Sequence, residues 1–145
     1  ATEWVEVMVT AEVQPNSILY STVVKAHAKA AQADEAVECL KMMQEAGVAC
    51  NEITYNSVVH AFARSKRPEG AAWWLGEMQR IGLKPSIVSY ASLIDACAKA
   101  GQPERAADWL AEADGIGLPL SVTTFNTVIN GFAKATLTEK ALLWF

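Results

Sequence analysis

A period of 35 residues runs through the whole chain and limits what it can fold into more than any other feature. Tyr20, Tyr55, Tyr90 and Phe125 keep it, and so do Ala36, Ala71, Ala106 and Ala141. Leu40, Leu75, Leu110 and Phe145 share the register, as do Gly47, Gly82 and Gly117. Trp4, Trp74, Trp109 and Trp144 keep it too, with Cys39 in the tryptophan place of one copy. Unrelated residue types holding one register mark a supersecondary unit repeated in tandem. Such a unit cannot bury its apolar face alone, so copies must stack.

Within a copy the apolar spacing is helical. Ile53, Tyr55, Val58, Val59 and Phe62 advance by steps that place them on adjoining faces of one helix, designated A. The spacing predicts helix A near residues 18–30, 53–65, 88–100 and 123–135, each antiparallel to a following helix B. Pro68-Glu69 and Pro103-Glu104 suit a first helical turn. A proline there forfeits an N–H that had no partner, and an acid favours the positive helix end. Helix B runs through Ala71, Leu75 and Met78 to Gly82, where a left-handed cap is expected, and Pro85 prevents continuation. Small residues at Ala26, Ala61, Ala96 and Gly131, and at Ala28, Ala63, Ala98 and Ala133, allow helices to approach closely.

The stretches Ile53-Thr54-Tyr55-Asn56-Ser57-Val58-Val59 and Val88-Ser89-Tyr90-Ala91-Ser92-Leu93-Ile94, with Gly82-Leu83-Lys84-Pro85-Ser86, resemble pentatricopeptide repeats over essentially the full length. Tetratricopeptide repeats have a period of about 34 and a Trp–Leu–Gly–Tyr pattern in their first helix, which this chain lacks. The resemblance implies an all-α, right-handed superhelical solenoid. In the family's register residues 1–16 end a preceding helix B, 17–51, 52–86 and 87–121 are whole repeats, and 122–145 is a partial one. Helices cut at both ends leave apolar faces open, so the natural protein is expected to be longer.

No catalytic or metal-binding constellation stands out. Cys39, Cys50 and Cys97 form neither a CxxC pair nor an even framework and read as small apolar residues. His27 and His60 occupy different places in their copies, lack an i,i+4 histidine, and read as solvated or groove-lining. The serines have no nucleophile-elbow or phosphate-loop context. No enzyme, metal or cofactor is expected. No apolar run approaches the roughly 18 residues of a membrane span. The chain opens with Ala-Thr-Glu-Trp, so a targeting peptide would lie outside it. Met42, Met43 and Met78 are expected in or near the core. The tryptophans are expected to pack between helices or on the outer surface, with a protein-docking stripe as the alternative.

A net charge of −4 argues at first against nucleic acid. Divided by helix, it does not. The A segments carry Lys25, Lys29, Arg64, Lys99 and Lys134 against Glu52 and Asp95, so the acidity belongs to helix B, the turns and the ends. Lys29, Arg64, Lys99 and Lys134 share the period, at the C-terminal end of helix A. There they complement the helix dipole or contact backbone phosphates. The resemblance implies a one-repeat-one-base code carried by the fifth and last residues of each copy. Ser21 with Asn51 resembles an adenine-type pair, and Asn56 with Ser86 a pyrimidine-type pair. Ala91 with Ser121 breaks the pattern, because alanine has no hydrogen-bonding side chain, while Asn126 suggests a pyrimidine. Ile18, Ile53 and Val88 match the family's aliphatic wedges between bases, from which Thr123 departs. The expected function is therefore single-stranded RNA binding in organellar RNA metabolism, in chloroplast or mitochondrion. The competing expectation is a scaffold within a large organellar assembly, making protein contacts through its solenoid and docking through the helix B face.

Overall fold

A computed structural model of the chain describes residues 16–135 together with Glu3, Val7 and Leu142. The tryptophans at Trp4 and Trp144, the register residues Ala141 and Phe145, and most of the two partial helices B expected at the ends lie outside the described residues. Among the described residues the helices are α1 (Ser17–Lys29), α2 (Ala33–Glu45), α3 (Glu52–Arg64), α4 (Pro68–Arg80), α5 (Ile87–Lys99), α6 (Pro103–Gly115) and α7 (Val122–Lys134). Helices α1, α3, α5 and α7 are A helices; α2, α4 and α6 are B helices.

Each A helix begins one residue earlier than the apolar spacing predicts, and the cause is capping. Asn16, Asn51, Ser86 and Ser121 have extended backbone, and their side chains accept from the N–H groups of Leu19, Thr54, Ser89 and Thr124. A side-chain oxygen satisfying one of the open N–H groups sets the helix start more sharply than the first apolar residue does. Pro68 and Pro103 open their B helices as expected. At the B-to-A turns Gly47, Gly82 and Gly117 have φ of 68°, 81° and 76°. The A-to-B turns use the same left-handed geometry but fill it with Ala31 (φ 57°), Lys66 (φ 58°) and Gly101 (φ 74°). At the first of these Ala31 N–H donates to the Ala28 carbonyl and Gln32 N–H to that of His27, closing the helix end.

Helix A packs against its own helix B and against the A helices before and after it, and helix B also touches the next helix A. The A helices thus form the continuous layer, bridged on one side by the B helices. The core is the periodic residue set: Tyr20, Tyr90, Leu40, Leu75 and Leu110 are at most 1% exposed, and Met43 and Met78 are fully buried. Trp74 lies tilted over Tyr55 with ring centroids 6.1 Å apart, and Trp109 over Tyr90 at 6.4 Å, so these two tryptophans pack between the helices of their own repeats. Cys39 and Cys97 are buried, and burial pushes the Cys39 thiol up to about 11. His27 corrects the sequence reading: it is neither solvated nor groove-lining but buried, its Nδ1 3.0 Å from Gln32 Oε1. It stands where the next copies place Phe62 and Cys97, so the site is an interior one. No helix among the described residues is long and apolar enough to cross a membrane.

Polar contacts mark the seam between repeats. Gln44 Nε2 donates to the Tyr55 hydroxyl at 3.3 Å, and Gln79 Nε2 to the Tyr90 hydroxyl at 2.9 Å. Tyr90 in turn donates to Glu112 at 2.8 Å. In the next copy the pair changes together, to Asp114 and Phe125, so no glutamine is left facing a ring without a hydroxyl.

Leu75→Ala and Leu110→Ala are expected to cost about 2–5 kcal/mol each, as buried leucine truncations do, and the destabilisation should spread to adjoining repeats. Unchanged denaturant midpoints would contradict this packing. Gly70→Ala tests a closer fit. Alanine in a helix is normally about 1 kcal/mol better than glycine. Here a Cβ would collide with the Phe62 ring, which Arg67 covers from 4.7 Å. The melting temperature is therefore expected to fall rather than rise.

Candidate functional site

On each A helix the second, fifth, ninth and thirteenth residues of the repeat advance by three, four and four positions and share one stripe. The stripes read Ile18-Ser21-Lys25-Lys29, Ile53-Asn56-His60-Arg64, Val88-Ala91-Asp95-Lys99 and Thr123-Asn126-Asn130-Lys134. Because the A helices pack side by side, the stripes lie next to one another as one surface. Ile18, Ile53 and Val88 are 75%, 49% and 63% exposed on it, an aliphatic column the core does not use. Thr123 continues the column as an exposed polar residue.

Two clefts open along this surface. The first, of 320 Å³, brings together Lys25 and Lys29 of α1, Ile53, Asn56 and His60 of α3, and Ser86, Val88 and Ser89 at the start of α5. It joins one expected base-reading pair to its two flanking aliphatic residues and to the expected cation of the repeat before. The second, of 380 Å³, is lined by His60, Arg64, Lys66, Ser92, Asp95 and Lys99. Lys29, Arg64, Lys99 and Lys134 are the last residues of their helices, where they also complement the dipole. Lys99 is engaged by Asp95 at 2.6 Å; among the described residues the other three have no ion-pair partner.

The remaining expected site residues are unequal. Ser21 is 8% exposed, and its hydroxyl donates to the Ser17 carbonyl at 2.7 Å. Its partner Asn51 caps α3 and commits its Oδ1 to Thr54. Asn126 and Ser121 are exposed, and Ser121 caps α7. Ala91 is half-buried and brings no polar group. At the ninth place His60, read from the sequence as solvated or groove-lining, lines both clefts, and its Nδ1 meets Ser92 Oγ at 2.9 Å across the seam between α3 and α5. Sequence reasoning missed the third place, where the hydroxyls of Thr54, Ser89 and Thr124 lie buried behind the expected base-reading residues. Their recurrence at 35 residues was the available signal.

His60 is held below the ordinary histidine value of 6.5, chiefly by burial and further by the Arg64 guanidinium. It faces Lys25 and Lys29 across the first cleft and Lys66, Asp95 and Lys99 across the second. Below pH 6.5 the unfolded chain binds this proton more readily than the folded one, so the stability His60 contributes is complete above 6.5 and lost as pH falls through its depressed value. Denaturant midpoints are expected to drop between pH 7 and pH 5, and to drop less in His60→Gln. Equal drops would place the effect elsewhere.

A profile described as the pentacotripeptide-repeat region of PRORP matches residues 1–132, and a PPR repeat profile matches residues 123–145. No curated protein matches the chain by sequence. Among solved structures the chain is similar to the maize pentatricopeptide repeat protein PPR10, with 30% identity and a TM-score of 0.75 over 99% of this chain and 20% of that one. It also superposes on the PPR domain of Arabidopsis thaliana protein-only RNase P 1 in complex with tRNA. There the TM-score is 0.81 at 16% identity, over 98% of this chain and 77% of that one. Nuclear proteinaceous RNase P 2 from A. thaliana gives a TM-score of 0.85 at 15% identity, over 99% and 33%. The chain thus spans about a fifth of the maize protein's length. With the period, the paired helices and a profile match over residues 1–132 in agreement, the chain belongs to the pentatricopeptide repeat family.

Proposed function

We propose that this chain binds single-stranded RNA along the A-helix surface, one base per repeat, without chemistry of its own. The observation that carries the reading is the 320 Å³ cleft in which Asn56 and Ser86 lie between the exposed Ile53 and Val88, with Lys25 and Lys29 at its edge. Aliphatic side chains above and below a base, polar groups at its edge and cations for the phosphates are what an unstacked nucleotide requires. Supporting it, PPR10 has also been solved with an 18-nt psaJ RNA element, at 21% identity and a TM-score of 0.78 to this chain. Asn56 with Ser86 takes a pyrimidine and Ser21 with Asn51 an adenine. Ala91 leaves the third repeat without a base-specific contact. The role in organellar RNA metabolism, in chloroplast or mitochondrion, rests on the family resemblance. One structure similar to this chain is of a nuclear protein, so the fold itself sets no compartment.

The test replaces Lys29, Arg64, Lys99 and Lys134 together by alanine in the full-length protein. RNA affinity is expected to weaken on every sequence and its salt dependence to flatten, by roughly 0.7 in the log–log slope for each phosphate no longer neutralised. Asn56→Ala is expected to alter preference at one base only. If both changes leave RNA affinity and preference intact while Trp74→Ala or Trp109→Ala releases a partner protein, the scaffold reading replaces this one.

A further inference from the structure

We infer that Ser89, and in the repeat before it Thr54, are positioning residues that fix which hydrogen-bonding groups the base-reading side chains turn toward the groove. The inference deepens the RNA-binding reading and rests on it.

The geometry is most complete around Asn56. Its Oδ1 accepts from the Ser86 backbone N–H at 3.1 Å and from the Ser89 hydroxyl. A backbone N–H is an obligatory donor, so an amide turned the other way would set donor against donor at Ser86 and would reverse the hydrogen-bond chain through the Ser89 hydroxyl, which can accept as well as donate. Oδ1 is therefore held inward. Nδ2 has no acceptor among the described residues and is left to the cleft with two N–H groups. The same latch orients Ser86. Its Oγ accepts from the Ser89 N–H at 3.2 Å and lies 3.2 Å from the Ser89 hydroxyl. With the Ser89 proton given to Asn56, the Ser89 oxygen accepts the proton of Ser86. The pair then offers the cleft donors from Asn56 and a spare lone pair from Ser86. The two amide donors suit adjacent acceptors on a pyrimidine edge and the Ser86 lone pair an exocyclic amine beside them, whereas a ring N–H between two carbonyls would face one of the amide donors.

Ser89 is 1% exposed, so it stands at the back of the cleft and leaves direct contact with a base to Asn56 and Ser86. It belongs to the repeat after the one whose base it influences, so the specificity of one repeat is set partly by its successor. Around the first pair Thr54 takes the same position, donating to Asn51 Oδ1 at 3.0 Å and standing 3.3 Å from Ser21 Oγ. Thr124 lies 3.1 Å from Ser121 Oγ, but Ala91 gives it no fifth-place side chain to hold.

The experiment measures binding of the full-length protein to two RNAs that differ only by cytosine or uracil opposite Asn56. It compares wild type, Ser89→Ala and Ser89→Thr. One neutral hydrogen bond is worth roughly a two- to tenfold ratio, so Ser89→Ala is expected to lower the cytosine-to-uracil discrimination by about that factor. Overall affinity should change less, and Ser89→Thr should restore the discrimination. A Ser89→Ala protein that binds both RNAs with the wild-type ratio, or weakens on both equally, overturns the positioning role and leaves RNA binding standing. So does a wild type that binds both alike. A wild type that binds neither RNA, nor a mixed-sequence single strand, overturns the RNA reading itself.

Discussion

Tyr90 sits where three helices meet, fully buried in α5, under Trp109 of α6 and hydrogen-bonded by Gln79 of α4. Everything else in the array follows from what that junction requires. A single A–B pair has one face to bury and nothing of its own to bury it against, and the ring of the next repeat supplies the cover. The hydroxyl arrives at the seam with its hydrogen-bonding need already met, since Gln79 donates to it and Glu112 accepts from it. Burial pushes its ionisation well above the ordinary tyrosine range, so it stays a neutral donor across the working pH range.

The groove is a consequence of that stacking. Once the A helices are laid side by side to bury their tyrosines, the stripe roughly two-fifths of a turn away must point outward from all of them together. Apart from the buried Ser21 and the half-buried Ala91, what lies on the stripe is largely free of the core and can be chosen for a ligand. The ninth place shows this freedom, with Lys25, His60, Asp95 and Asn130 in successive copies, while the core places held by Tyr20, Ala36 and Leu40 scarcely change. The exposed aliphatic column of Ile18, Ile53 and Val88 shows the opposite, a repeated apolar choice that folding does not demand.

The register, the buried leucines, the proline starts and the cation column were legible because each is a residue type recurring with a physical reason. The cap positions were legible only as polar residues, and capping moved each helix A start by one place. His27 escapes sequence reading because a lone histidine carries no mark of burial; only its alignment with Phe62 and Cys97 betrays an interior site. The left-handed turn residues Ala31 and Lys66 were invisible for a similar reason, since glycine is the signal and only Gly101 shows it. The third-place hydroxyls were in plain view, yet a serine or threonine near a helix start reads as part of the cap. Their reach across the seam depends on how closely α3 and α5 approach, which no local pattern encodes.

The paired change from Gln79 and Tyr90 to Asp114 and Phe125 bears on how such a gene can be rearranged. Unequal crossing-over between copies excises whole 35-residue units and preserves every helix, turn and cap. It does not preserve the matched partners across the new junction. Deletion of residues 87–121 would set Gln79 against Phe125 and strand an amide over a bare ring, whereas deletion of residues 52–86 would bring Gln44 to Tyr90 and keep the bond. Repeats of equal length are therefore not interchangeable in recombination, and the seam chemistry sets which deletions leave a sound junction behind.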